Sequence, residues 1–422
     1  MNLRPRLATF SLLLVLTVCF LSWPLQATDE RAAAGPLAES LTAGNSAELP
    51  QAAQTGQDAG PQSPANETGP LFLVRKDGKY GYIDKTGKIV IPPQYANAER
   101  FFEGLAAVKI GGKWGFIDKT GTLVIPPKYN HTHAEHFSEG LAPVHIGRNG
   151  NYGYIDKTGK LVIPHKYHNE YADHFSEGLA PVHVGRNGNY GYIDKTGQMI
   201  FSLPRDYFPA WSPEPGLQDY YSWGSGLGLK NYATHSGFSE GLAAVFAGSI
   251  GKCGYIDKTG QMVMPLQYDR ANRFTEGLAA VMISGMWGYI DKTGKTVIPL
   301  RYSHAERFSE GLAAVLVSGK WGFIDKTGQM VIPPQYDVQQ YGGVWVGGLL
   351  DMDKTANSHF SEGLASVRVG KKWGFIDRTG QMVIPPLYDH AGPFSEGLAY
   401  VKVGKKWGYI DKTGEYVWAP TK

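Results

Sequence analysis

Cysteine is nearly absent, with two in 422 residues. That scarcity excludes a disulfide scaffold and any Cys-rich metal module. Charge is also sparse: Asp, Glu, Lys and Arg make up 19% of the chain and leave a formal net charge of +3. A balance so close to neutral argues against nucleic-acid binding driven by bulk charge. It also argues against a highly charged disordered chain. Long apolar runs are missing except for one, Leu7 to Leu21, so a protein with many membrane spans is excluded.

That single run carries an address. Arg4 and Arg6 precede it, and Ser22-Trp23-Pro24 and the small-residue site Leu25-Gln26-Ala27 follow it. A basic segment, an apolar segment and an Ala-terminated site describe a Sec-type signal peptide. Cleavage after Ala27 is expected, giving a periplasmic or extracellular protein with no transmembrane span and one remaining thiol, Cys253. Residues 28–69 lack aromatics, Ile, Val, Met and Cys altogether. A segment of that composition cannot bury enough apolar surface to offset its ordering entropy, which predicts a flexible linker.

Glycine, by contrast, is abundant at 54 residues, and repetition explains much of it. An aromatic-Gly step followed by Ile-Asp-Lys-Thr-Gly or a close variant begins at Tyr80, Trp114, Tyr152, Tyr190, Cys253 (in place of an aromatic), Trp287, Trp321, Trp373 and Trp407. Successive spacings are 34, 38, 38, 63, 34, 34, 52 and 34 residues, so the unit is 34 residues, with two large insertions at about 201–237 and 338–358. Glu-Gly-Leu-Ala recurs eight times, from Glu103 to Glu396. Each unit reads as a three-stranded β-meander. In residues 105–127 the first strand ends at Gly111-Gly112. Trp114 to Asp118 is the second strand, and Thr122 to Ile125 the third. Asp118 can accept the N–H two residues on, and Gly121 takes the left-handed position closing the turn. Pro126-Pro127 is expected to carry the third strand out of the sheet, and residues 129–140 to form an irregular connector.

Such a unit is too small to bury a core alone, so neighbouring units must supply it. The motif Trp-Gly-Phe-Ile-Asp-Lys-Thr-Gly, with downstream Ile-Pro-Pro-x-Tyr and Phe-Ser-Glu-Gly-Leu-Ala, resembles the bacterial WG-repeat (KWG repeat) family over residues 71–422. The resemblance implies an all-β tandem array and leaves activity open. The first unit has its own opening strand, Leu71 to Val74, and the last its own closing strand, Tyr416 to Trp418. No strand exchange between chain ends is therefore required, and an open, twisted, solenoid-like array is expected in preference to a closed propeller.

The candidate chemistry is thin. The nine repeated aspartates, Asp84 to Asp411, read as turn formers, because a catalytic group needs one singular environment. The repeated glutamates read the same way. Eight of the twelve histidines fall between 131 and 183. Among them His131, His133, His136 and His174 have side chains suited to zinc or copper. The rings of the aromatic-Gly steps are expected in the core, each packed over the bare glycine backbone of a neighbouring unit, and Cys253 as a buried filler of the same slot. The insertions carry Tyr207, Trp211, Tyr220, Tyr221 and Trp223, then Tyr341 and Trp345, ring types that suit recognition of sugars or protein surfaces. Gly294-Lys295-Thr296 echoes a phosphate-binding loop, but Tyr289 stands where glycine is required. No cofactor is implied. The expected function is a non-catalytic, exported interaction scaffold for a protein partner at the cell envelope. Envelope glycan binding by the insertion loops is the alternative, and metal binding by the His-rich units a further one.

Overall fold

The computed structural model describes residues 69–129, 136–145, 151–167, 172–183, 189–209, 237–338 and 359–421. Every regular element among them is a β-strand, and none is a helix long and apolar enough to cross a membrane. The strands form nine separate antiparallel sheets, one per repeat. These blades occupy residues 72–95, 97–129, 141–167, 180–202, 207–268, 270–302, 304–337, 360–388 and 390–421.

Blade 2 shows the pattern. Leu105–Ile110, the Leu-Ala strand, pairs with Lys113–Asp118, and that strand pairs with Leu123–Tyr129. Most of the connector expected to be irregular, residues 130–135, lies outside the described residues, but in other blades the equivalent segment meets the exposed edge of the Leu-Ala strand, which still offers hydrogen bonds. In six blades it contributes a short fourth strand along that edge. In blade 2 this is Asn97–Ala98, in register with Lys109 and Val108.

The strand carrying Pro126-Pro127 does not leave the sheet either. It runs on to Tyr129, with Phe116 facing Ile125, Trp114 facing Tyr129 and the register shifted between them. The bulge takes up both prolines without demanding their missing N–H groups. It also explains the glycine of the aromatic-Gly step. A Cβ at Gly115 would lie 2.5 Å from the carbonyl oxygen of Ile125 and 2.8 Å from the nitrogen of Pro127. The bare backbone is therefore covered by the blade's own proline strand, not by a ring from the next unit.

The core lies between blades. Leu105, Ala107, Trp114, Phe116, Ile125 and Tyr129 of blade 2 share one cluster with Phe137, Ala142, Val144 and Ile155 of blade 3. An open array of nine blades has eight such interfaces, yet a further cluster joins Phe72, Val74 and Ile83 of blade 1 to Leu398, Tyr400 and Tyr409 of blade 9. The expectation of an open array is thus wrong. The protein is a closed nine-bladed β-propeller. The absence of strand exchange was a poor guide, because side-chain packing of the same kind as at every other interface closes the ring. Phe72 meets Tyr409 edge to face at 5.5 Å. Gly87, the turn glycine of blade 1, lies against Val417, just as Gly414 lies against Ile384 and Gly159 against Ile125. Since all of these contacts fall within residues 69–421, the ring is complete in itself.

Candidate functional site

The repeated carboxylates are committed to structure. In all nine Asp-Lys-Thr-Gly or Asp-Arg-Thr-Gly turns the aspartate Oδ1 accepts the threonine hydroxyl. At Asp118 the distances are 2.6 Å from Thr120 Oγ1, 2.9 Å from Thr120 N and 3.0 Å from Thr122 N. The glycine closes the turn at positive φ, 86° for Gly121. The threonine hydroxyl and these N–H groups hold the carboxyls of Asp156, Asp194, Asp257, Asp291, Asp325 and Asp377 below the usual range. At Asp84 and Asp118 burial pushes the other way and is outweighed.

The glutamate of Glu-Gly-Leu-Ala does more than shape a turn. Phe102 and Leu105 exchange backbone hydrogen bonds across Glu103-Gly104, and both central residues have positive φ, 49° and 89°. This is the two-residue hairpin geometry that ordinarily favours Asn-Gly. Glutamate accepts that backbone for its reach: Glu103 Oε2 takes the N–H of Gly140 at 3.0 Å and Lys157 Nζ at 3.1 Å, both in the next blade. The same clasp recurs from Glu139 to Gly178 and Lys195, Glu177 to Gly241 and Lys258, and Glu240 to Gly277 and Lys292. It continues from Glu276 to Gly311 and Lys326 and from Glu362 to Gly397 and Lys412. Burial raises the carboxyls of Glu103, Glu177, Glu240 and Glu276, but the lysine and glycine donors prevail and hold them low.

A pH dependence follows. These aspartates and glutamates titrate lower when folded than in an unfolded chain, where carboxyls lose their proton near pH 4. Their stabilising contribution is therefore complete above about pH 4 and is lost as pH falls through the depressed folded values. Urea midpoints should change little on their account between neutrality and pH 5, then drop steeply on further acidification. A midpoint that stays level to pH 3 would contradict this.

Blade 1 has no Glu-Gly-Leu-Ala. Gly69 stands at the glutamate position, where its carbonyl takes Lys119 Nζ at 3.1 Å. Pro70, which has no N–H, stands at the position of the receiving glycine. Blade 1 also lacks the short fourth strand. Elsewhere the connector donates to the third residue of the Leu-Ala strand, as Glu99 N does to Ala107 O at 2.9 Å. At the seam the hydroxyl of Tyr409 donates instead to Leu73 O, at 2.9 Å, on the strand itself. Tyr400, aromatic where blade 1 carries Leu73 and the other blades Ala, Pro or Ser, packs beside it, and the Arg100 guanidinium of blade 2 lies 5.3 Å from its ring centre. Sequence reasoning missed Tyr400, Tyr409 and Arg100. The one visible signal was an aromatic at the third position of Leu-Ala-x-Val.

The sequence-nominated residues fare unevenly. Trp211, Tyr220, Tyr221, Trp223, Tyr341, Trp345, His131 and His133 lie outside the described residues. Tyr207 belongs to the short strand Tyr207–Pro209 of blade 5, facing Ala247. His136 and His174 come together as stacked rings, 3.8 Å apart with planes at 15°, and Phe102 stacks on His136 at 4.0 Å. Parallel stacking does not converge their nitrogens on one point. Among the described residues, no three His, Cys, Asp or Glu side chains form a set able to hold a metal ion.

The aromatic-Gly rings of Trp114, Trp287 and Trp373 are buried, as expected, whereas Trp321 and Trp407 are only half-buried. Cys253 is buried too, and burial pushes its thiol up to about 12. Iodoacetamide at neutral pH should leave Cys253 unmodified in the folded protein and alkylate it in denaturant, as read by peptide mass spectrometry.

Both insertions leave the ring at corresponding places. One departs after Pro209 and returns at Gly237; the other departs after Val338 and returns at His359. Each insertion ends just before the Glu-Gly turn of its blade.

Comparison with known proteins agrees with this architecture. No curated protein matches the chain. A solved structure titled "Crystal structure of the eukaryotic initiation factor" aligns with a TM-score of 0.52 at 11% identity, covering 83% of this chain and 95% of that one. At that identity the likeness is one of fold. The dihydro-heme d1 dehydrogenase NirN in complex with DHE aligns at 14% identity and a TM-score of 0.38, covering 63% of this chain and 64% of that one, too distant to carry an argument. The family model described as "WG containing repeat" matches residues 80–114, 114–148, 152–185, 254–287, 287–321, 321–338, 358–373 and 373–407. These segments span more than half of the chain and repeat at the spacing of the aromatic-Gly strands, and the chain therefore belongs to the WG-repeat family.

Proposed function

We propose that the protein is a non-catalytic interaction scaffold, exported by its N-terminal signal and working at the cell envelope through a protein partner. The observation that carries this reading is the uniform use of its acids. All nine turn aspartates and seven of the repeated glutamates are engaged in the same turn or clasp, which leaves them no singular acid–base pair to offer. What departs from repetition in the sequence are the two aromatic-rich insertions. Loops held on a rigid frame are where recognition usually resides.

The structure also sets the deletion boundaries. Residues 201–202 and 207–209 belong to strands, so the excisions should remove 210–236 and 339–358 only. Cross-linking in intact cells should recover an envelope protein with the full chain and lose it with the doubly excised chain. Equal recovery from both would remove the loops from the function. Saturable binding on a glycan array, lost on the same excision, would favour the glycan alternative.

A further inference from the structure

Ring closure joins two lysine-rich segments from opposite ends of the chain. The hairpins linking the Leu-Ala strand of each blade, or its counterpart in blade 1, to the aromatic-Gly strand lie at the end of the ring opposite the Asp-Lys-Thr-Gly turns. There blade 1 carries Arg75, Lys76 and Lys79, and blade 2 carries Lys109 and Lys113. Blade 8 adds Arg368, Lys371 and Lys372, and blade 9 adds Lys402, Lys405 and Lys406. Only Asp77 on these four hairpins is acidic. Asp389, at the link between blades 8 and 9, is taken by Lys372 Nζ at 2.7 Å and Gly404 N at 2.6 Å. Outside this sector, blades 5 and 7 offer Lys252 and Lys320, each already paired with Asp269 or Asp337. One sector of this face is strongly basic although the whole chain is close to neutral.

Arg75 lies on the ring of Tyr80, Arg368 donates to Val338 O, and Lys109 and Lys402 lie over Trp114 and Trp407. Of the seven exposed cations six are lysines, Lys76, Lys79, Lys113, Lys371, Lys405 and Lys406, and the seventh, Arg75, is the one held against the Tyr80 ring. Lysine is a point charge without the planar fork that reads a particular anion. The neighbouring rings of Tyr80, Trp114 and Trp373 are buried and that of Trp407 is half-buried with Lys402 over it, so the sector has little platform on which a base or sugar could stack. Aliphatic side chains are exposed at hairpin tips of the same end instead: Ile110, Val369, Ile250 and Met286.

We propose that this face, centred on blades 8, 9, 1 and 2, docks onto an anionic phospholipid bilayer. Lysines supply the attraction, which salt screens within roughly 8–10 Å, and the aliphatic tips enter the headgroup layer.

The test uses residues 58–422, the compact unit that contains the ring, because the run Leu7 to Leu21 would itself bind lipid. The unit should sediment with vesicles of phosphatidylcholine mixed with phosphatidylglycerol, not with phosphatidylcholine alone, and binding should fall as NaCl rises. Each lysine contributes roughly fivefold in partitioning. Each triple variant, K76Q/K79Q/K113Q or K371Q/K405Q/K406Q, should therefore lose on the order of a hundredfold. K88Q/K160Q/K295Q, at the opposite end, should lose nothing. Melting curves confirm folding, and single Lys→Gln variants substitute for any triple that fails to fold. Three results would overturn the proposal: no binding to the mixed vesicles, equal loss in all three triples, or tighter binding to duplex DNA or dextran sulfate at equal anion concentration.

Discussion

Gly288→Ala should destabilise the protein by about 3 kcal/mol or more, enough to prevent folding in some hosts. The added methyl would sit 2.5 Å from Ile298 O and 2.8 Å from Leu300 N. Both are backbone atoms of the proline strand, held by its pairing with Met286–Asp291. Neither can rotate away, so relief requires separating the two strands and opening the bulge between Trp287 and Tyr289. Gly285→Ala makes the informative contrast, because a Cβ there meets no atom within 4 Å although φ is 80°. Its cost is that of the left-handed backbone alone, about 1–2 kcal/mol. Urea denaturation of both variants decides the point. Equal midpoints would mean that the aromatic-Gly glycine is selected for backbone freedom and not for the close approach.

The seam between blades 9 and 1 should be as costly to damage as an interface in the middle of the chain. Phe72 is buried against Tyr409, so Phe72→Ala should cost about 3–5 kcal/mol, in line with other large-to-small core changes. Tyr409→Phe leaves the buried Leu73 carbonyl without its hydroxyl donor and should cost about 1–3 kcal/mol. Phe308→Ala, at the interface of blades 6 and 7, is the reference for the first. In an open array Phe72 would lie on an exposed terminal blade, and its loss would barely register. A second measurement separates ring from array directly. A lysine-reactive reagent applied to the monomer should yield intramolecular links between residues 75–113 and residues 368–406. Their absence, together with a tolerated Phe72→Ala, would break the ring.

Much of the blade was legible because its determinants are local. Asp118 and Gly121 specify their turn through atoms within four residues, and Gly111-Gly112 marks its hairpin in the same way. The proline strand was misjudged because a ladder without its N–H groups was assumed to end, whereas a bulge lets Leu123–Tyr129 continue past both prolines. The glutamate clasp was hidden for a different reason. Glu103 and Gly140 are 37 residues apart, and nothing in the spacing shows that one reaches the other. The nominated aromatics of the insertions and the histidines 131 and 133 fall outside the described residues, whereas His136 and His174 meet as a stack.

What the chain states by itself is the nine-fold unit, its strands and turns, and the need for each unit to bury a neighbour, since every one of these rests on short-range geometry and apolar periodicity. What only the tertiary structure decides is how the two end blades meet that need. An open solenoid requires polar caps, yet blade 1 presents Phe72 and Val74, and blade 9 presents Tyr400 and Tyr409. Their apolar faces are covered by each other, and that same closure brings the lysines of both chain ends onto one face. The pairing joins residues more than 300 positions apart, with Leu73 and Tyr409 separated by 336. It depends on the curvature accumulated over nine blades, which no local pattern encodes.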